Sequence, residues 1–170
     1  IAVDQRLENP HIIKSSQVAV KIVSAGPDKE ALDGAYANRE NPKYIKSLGL
    51  TIQGISRVTP HGMLIFFSSY TLMNKCHDTW EQCGMWDSMQ EIKPIFKEPR
   101  NKDEFQTSIK DYYETVQSRK GATYMAVLRG KVSEGLDFND HNARAVIICG
   151  IPFPAGALNS KKVPCGTGSV

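Results

Sequence analysis

The chain has 170 residues, enough to bury one sizeable core and too few for two comfortable domains. Its 41% hydrophobic and 23% charged content excludes a disordered or low-complexity polymer. A net charge of +3 permits an anionic partner without forming a dense basic stripe, and apolar runs such as 63–67 are far too short to span a membrane.

In chain order, Ile1-Ala2-Val3-Asp4-Gln5-Arg6 lacks the charged start and apolar middle of a signal peptide, and a start without Met reads as part of something longer. Gln17-Val18-Ala19-Val20-Lys21-Ile22-Val23 is the first run expected to form a buried strand, closed by Gly26-Pro27. Residues 44–58 put Ile45, Leu48, Ile52 and Ile55 on one helical stripe. Met63-Leu64-Ile65-Phe66-Phe67 is nearly all apolar, as a central parallel strand covered on both faces requires. Residues 72–80 repeat the helical spacing with Leu72, Met73, Cys76 and Trp80. Pro94 demotes 92–96 to an edge or irregular piece. A further helix over 103–116 carries Phe105, Ile109, Tyr112, Tyr113 and Val116, with Asp103 as its N-cap. Residues 122–128 and 145–149 complete the buried strands. Strands alternating with helices predict an α/β layered domain with a mostly parallel sheet.

Parallel α/β sheets bind ligands in the loops beyond the carboxyl ends of their strands. Two such loops stand out. Ser68-Ser69-Tyr70 follows the 63–67 strand, and Arg129-Gly130-Lys131-Val132-Ser133-Glu134-Gly135-Leu136-Asp137-Phe138 follows the 122–128 strand. The second combines glycines that allow close backbone approach with cations, a hydroxyl and carboxylates; a polar surface loop punctuated by glycine is the competing reading. It is no phosphate-binding Walker loop, since Met125 stands where that motif needs glycine and Val132 where it needs Ser or Thr. Cys76, Cys83, Cys149 and Cys165 lack metal-site spacing and read as free thiols, and His11, His61, His77 and His141 read as isolated. Trp80, Trp86, Tyr112 and Tyr113 sit at helical spacings that favour core over base-stacking platform.

Gly130-Lys131-Val132-Ser133-Glu134-Gly135-Leu136-Asp137-Phe138 resembles motif V of the iron–sulfur superfamily-two DNA helicases typified by XPD and FancJ. Asn142-Ala143-Arg144-Ala145-Val146-Ile147, closing with Gly150-Ile151-Pro152-Phe153-Pro154, follows as in that family, and Leu64-Ile65-Phe66-Phe67-Ser68-Ser69-Tyr70 is similar to its motif IV. Glu8-Asn9-Pro10-His11-Ile12-Ile13, Arg57-Val58-Thr59-Pro60-His61-Gly62 and Lys97-Glu98-Pro99-Arg100-Asn101-Lys102 extend the resemblance over about 7–154.

The resemblance implies a RecA-like helicase C-terminal lobe over 17–154, a lead-in from a first lobe over 1–16, and a flexible tail outside the family pattern over 155–170. It implies an ATP-dependent DNA helicase of five-prime to three-prime polarity, nuclear, acting in telomere maintenance, DNA repair and recombination control. Ser68, Ser69, Tyr70, Arg129, Lys131 and Ser133 would contact single-stranded or forked DNA, while Glu134, Gly135 and Asp137 would lie nearer the ATP cleft. Base stacking and capping of the core stay open for Tyr70, as does an ion pair with Asp137 or Asp140 for Arg144. ATP and Mg²⁺ would be shared with the first lobe, and a four-iron–four-sulfur cluster belongs to that lobe.

No Walker A loop, Asp-Glu-Ala-His box or four-cysteine cluster occurs here, and 155–170 contains none of the arginines of motif VI. By that resemblance the stretch alone does not complete an ATPase. An exposed hydrophobic edge, with lower stability than a longer version through motif VI, is expected. A truncated, non-catalytic module binding DNA or a partner is the alternative function. A nucleotide-binding oxidoreductase is disfavoured, because no Gly-x-Gly-x-x-Gly follows any predicted strand.

Overall fold

The computed structural model describes residues 14–35, 37–118, 120–130, 132 and 138–150. The expectations for the first part of the lead-in, for the 155–170 tail, and for Lys131, Ser133, Glu134, Gly135 and Asp137 lie outside the described residues. The elements are α1 (Pro42–Val58), β1 (Gly62–Phe67), α2 (Tyr70–Gln82), α3 (Met85–Ile92), β2 (Ile95–Lys97), α4 (Lys102–Val116), β3 (Ala122–Val127) and β4 (Ala145–Cys149). The four strands form one sheet in the order β2-β3-β1-β4, and every pairing is parallel. The α/β layered expectation therefore holds.

Period-two alternation assigns the two central strands to two cores. Met63, Ile65 and Phe67 of β1 and Met125 and Val127 of β3 pack with Ile45, Leu48 and Ile52 of α1 and with Met73, Cys76 and Trp80 of α2. Leu64 of β1 and Tyr124 and Ala126 of β3 point the other way, onto Phe105, Ile109, Tyr112 and Val116 of α4. Trp80 is fully buried and donates its indole N–H to the Ile45 carbonyl at 2.8 Å, which ties α2 to α1. Tyr112 is fully buried and donates to the Asn142 carbonyl at 2.6 Å. Trp86 and Tyr113 are half-buried against the same two cores, so the core reading of these aromatics stands.

Helix ends follow short-range chemistry. Asn41 caps α1 through the Lys43 amide, with Pro42 in the first turn where a missing N–H costs nothing. Asn101, rather than the expected Asp103, caps α4, its Oδ1 accepting from the Asp103 amide at 3.0 Å. Asp103 and Glu104 fall in the first turn, where their charge still complements the helix dipole. Helix α3, which the sequence reading did not separate, starts beyond Gly84 at φ +70, a conformation glycine adopts without strain.

Two strand expectations need correction. The 17–23 run is not a buried strand: Gln17 ends a short 3-10 helix and the residues after it are exposed, with Val20 at 85% and Ile22 at 96%. Among the described residues no strand pairs with it, and the Ala25–Ala31 bridge lies beyond its end. The edge reading of 92–96 holds: β2 is an edge strand that begins just past Pro94, and Ile92 ends α3. Strand β4 is buried on one face only. Ala145, Ile147 and Cys149 meet the first core, whereas Val146 and Ile148 are exposed at 53% and 59%, giving the expected apolar edge.

At the amino ends of the strands a buried lysine holds the chain. Lys93 is 1% exposed and its ammonium donates to the Thr59 carbonyl at 2.8 Å and the His61 carbonyl at 2.7 Å. Burial pulls its pKa below the usual lysine value. Lys93→Met keeps the apolar stem and removes both donors, and is expected to lower unfolding stability by about 1–3 kcal/mol. Urea midpoints of the two proteins check this; coincident curves would show that the carbonyls rehydrate freely.

Candidate functional site

The parallel registers bring all four strands out on one rim. Phe67 pairs with Val127 and with Cys149, and Lys97 pairs with Met125. The segments leaving that rim are Ser68–Tyr70, Glu98–Arg100, Leu128–Gly130 and Gly150. The Leu128 amide donates to the Phe67 carbonyl at 2.8 Å, so the two loops singled out in the sequence leave the sheet side by side.

Ser69 is the N-cap of α2, its Oγ accepting from the Leu72 amide at 3.2 Å. Its hydroxyl proton is still available to donate outward. Beside it a surface hollow of about 410 Å³ is lined by Arg39, Glu40, Ser69, Thr71, Leu72 and Lys75. Lys75 and the two hydroxyls at a helix start offer donors to an anion here, with the Glu40 carboxylate opposing them. A second hollow of about 410 Å³, with Arg57, Thr59 and Lys120, lies at the amino ends of the strands and is remote from these groups.

Ser68 is half-buried, and Tyr70 opens α2 with its hydroxyl turned towards the protein. The phenol donates to Glu98 Oε1 at 3.0 Å, and the Arg100 guanidinium lies 5.4 Å from its ring centroid. Burial, and then the Glu98 carboxylate, push this phenol up to about 12, so it keeps its proton at neutral pH. Tyr70 thus takes the capping alternative with its hydroxyl and leaves only its ring for any stacking.

Arg129 is exposed at φ +61, an unusual conformation for a non-glycine residue, in a tight turn closed by the Gly130 amide on the Val127 carbonyl at 2.9 Å. Gly130 is required by space: a Cβ there would come within 2.9 Å of Glu98 Oε1 and 3.0 Å of Oε2. Val132 is buried in the second core, which anchors the loop just past the turn.

Sequence reading missed Glu98. It is 2% exposed at the end of β2, and its Oε2 accepts from the Val127 amide at 2.9 Å. The only signal was its place in the Lys97–Lys102 resemblance; a lone Glu after a three-residue strand carries no pattern of its own.

Arg144 makes the ion pair named as its structural alternative, 2.9 Å from Asp140, both side chains largely exposed. His77 is not isolated: the donor atoms of His77, Asp78 and Glu81 lie within 4.8 Å of one another, and its ring meets Trp86 edge-on. Cys76, Cys83 and Cys149 are free thiols. Burial pushes Cys76 up to about 12 and raises Cys149 further, which favours the neutral thiol over the thiolate that metals and clusters need. Among the described residues no helix is long and apolar enough to cross a membrane.

The model of the family described as "Helicase C-terminal domain" matches residues 52–162. The chain is 56% identical over 154 residues to proteins named "Regulator of telomere elongation helicase 1 homolog" from Drosophila yakuba, Drosophila melanogaster and Drosophila mojavensis. Each alignment covers 91% of this chain and 15–16% of the relative, so the chain spans about one sixth of the relatives' length.

Ser69→Ala is expected to lower stability by about 1 kcal/mol through the lost cap, and Ser69→Asp to retain it. Urea unfolding with an unchanged slope checks both; equal midpoints for the alanine variant would show that the cap contributes nothing.

Proposed function

Because the chain belongs to the helicase C-terminal domain family, we propose that it is the second RecA-like lobe of an ATP-dependent DNA helicase, gripping single-stranded or forked DNA along the carboxyl rim of its sheet. The observation that carries this reading is the adjacency of the Ser68–Tyr70 and Leu128–Gly130 turns at the ends of β1 and β3. Phosphate oxygens receive hydrogen bonds from the hydroxyls of Ser68 and Ser69 and from Arg129, with Lys131 and Ser133 completing the grip. Such contacts give affinity without sequence preference. Tyr70 contributes by fixing the start of α2.

Glu134, Gly135 and Asp137 face the nucleotide cleft in this reading and relay its state to the DNA side. ATP and Mg²⁺ supply the phosphoryl-transfer chemistry. The described residues do not fit Mg²⁺ at the rim, because the buried Glu98 carboxylate is already engaged by Tyr70 and Val127. Nor do the buried neutral thiols fit an iron–sulfur cluster. In this reading ATP and Mg²⁺ are shared with the first lobe, the partner in cis, which also holds the cluster, so this chain alone does not turn over ATP. The names of the relatives support a nuclear role in telomere maintenance, with DNA repair and recombination control as wider expectations.

In a two-lobed helicase carrying this chain, Lys131→Ala is expected to weaken single-strand binding alike on all sequences. It should also make the slope of log affinity against log salt shallower by about one. Asp137→Ala is expected to leave DNA affinity largely intact while uncoupling ATP use from strand movement. Filter-binding titrations at several salt concentrations beside an ATPase assay separate the two, and identical phenotypes would refute this division of roles.

A further inference from the structure

We propose that Glu98 is a positioning residue that ties the two DNA-facing turns together, deepening the grip described above and resting on it. Its two oxygens are divided between the two turns. Oε1 takes the Tyr70 phenol at the start of α2, and Oε2 takes the Val127 amide at the end of β3. Its backbone is fixed as well, since the Glu98 amide donates to the Met125 carbonyl at 2.8 Å. A Cβ at Gly130 would come within 2.9 Å of Oε1 and 3.0 Å of Oε2, so a side chain there would strike the carboxylate.

A carboxylate at a phosphate-binding rim would repel its ligand if it faced outward. At 2% exposure, with its oxygens turned inward, Glu98 does no such thing. Burying an anion is costly unless donors compensate it, so these two hydrogen bonds form together with its burial. A shift of the Arg129–Gly130 turn presses on the carboxylate and reaches Tyr70 through it. Glu98 thereby sets the spacing between Ser69 and Arg129 without touching DNA.

The test uses the two-lobed helicase and an oligothymidylate probe. Glu98→Ala is expected to weaken binding about tenfold, the size of one lost charge-assisted hydrogen bond, with the salt slope unchanged because no phosphate contact is removed. Glu98→Gln is expected to restore most of that loss, since its carbonyl can accept from Val127 while its NH₂ donates to the phenol oxygen. Tyr70→Phe should weaken binding without adding to Glu98→Ala in the double variant. Wild-type affinity in Glu98→Ala, a changed slope, or additive losses would each overturn the proposal. Should Glu98→Ala not fold, hydrogen exchange at the Val127 amide decides. Tyr70→Phe is expected to speed it about tenfold through the loosened carboxylate, an effect that a direct phenol–DNA contact could not produce, and an unchanged rate overturns the tie. Arg129→Ala in the same titrations separates the two levels. If it flattens the salt slope while the Glu98 variants bind normally, the grip stands and the tie fails; if it changes nothing, the grip fails and the tie falls with it.

Discussion

The parallel pairing of β1 with β3 is the constraint from which the rest follows. Six residues of each strand run in register from Gly62–Ala122 to Phe67–Val127. Because the pairing is parallel, both chains leave the sheet at the same end, and the turns after them become neighbours although some 60 residues separate them in sequence. An antiparallel pairing of the same segments would have put Ser69 and Arg129 on opposite rims. The cost of a parallel ladder is that both faces of each strand must be covered. Here α1, α2 and α3 cover one face and α4 the other.

Charge is handled differently at the two ends of that sheet. At the amino end, buried Lys93 fastens the turn before β1 through two backbone carbonyls. At the carboxyl end, buried Glu98 accepts from a phenol and a backbone amide. Each ion fixes a turn through these hydrogen bonds to backbone and phenol groups. Arg129, beside the buried carboxylate, is left on the surface.

The periodicity of the sequence was enough to locate α1, α2, α4, β1, β3 and β4 within a few residues, because each buries a long apolar stripe that leaves a repeating signal. It could not separate α3 from what surrounds it, since an eight-residue helix with Met89 as its one fully buried residue gives little more than a single turn of pattern. It misplaced the 17–23 run for the opposite reason. Val18, Val20 and Ile22 alternate as a strand should, yet alternation states only that one face could be buried, not that a neighbour is there to bury it. The hydroxyl of Tyr70 shows the same limit at the site: the residue type was legible, but whether its proton faced ligand or protein depended on Glu98, 28 residues on and outside any pattern.

Local composition thus determined which segments are helix or strand, the two loops rich in hydroxyls, cations and glycines, and the kinship carried by the motif beginning at Gly130. Those properties reside in near-neighbour spacing and short-range sterics, which a linear string records directly. Tertiary structure alone decided that the two loops meet, that β4 keeps one face open, and that a solitary glutamate becomes the link between the turns. Each of these is a contact between residues distant in the chain, and its free energy exists only once parallel packing has brought the partners within reach and excluded water from between them.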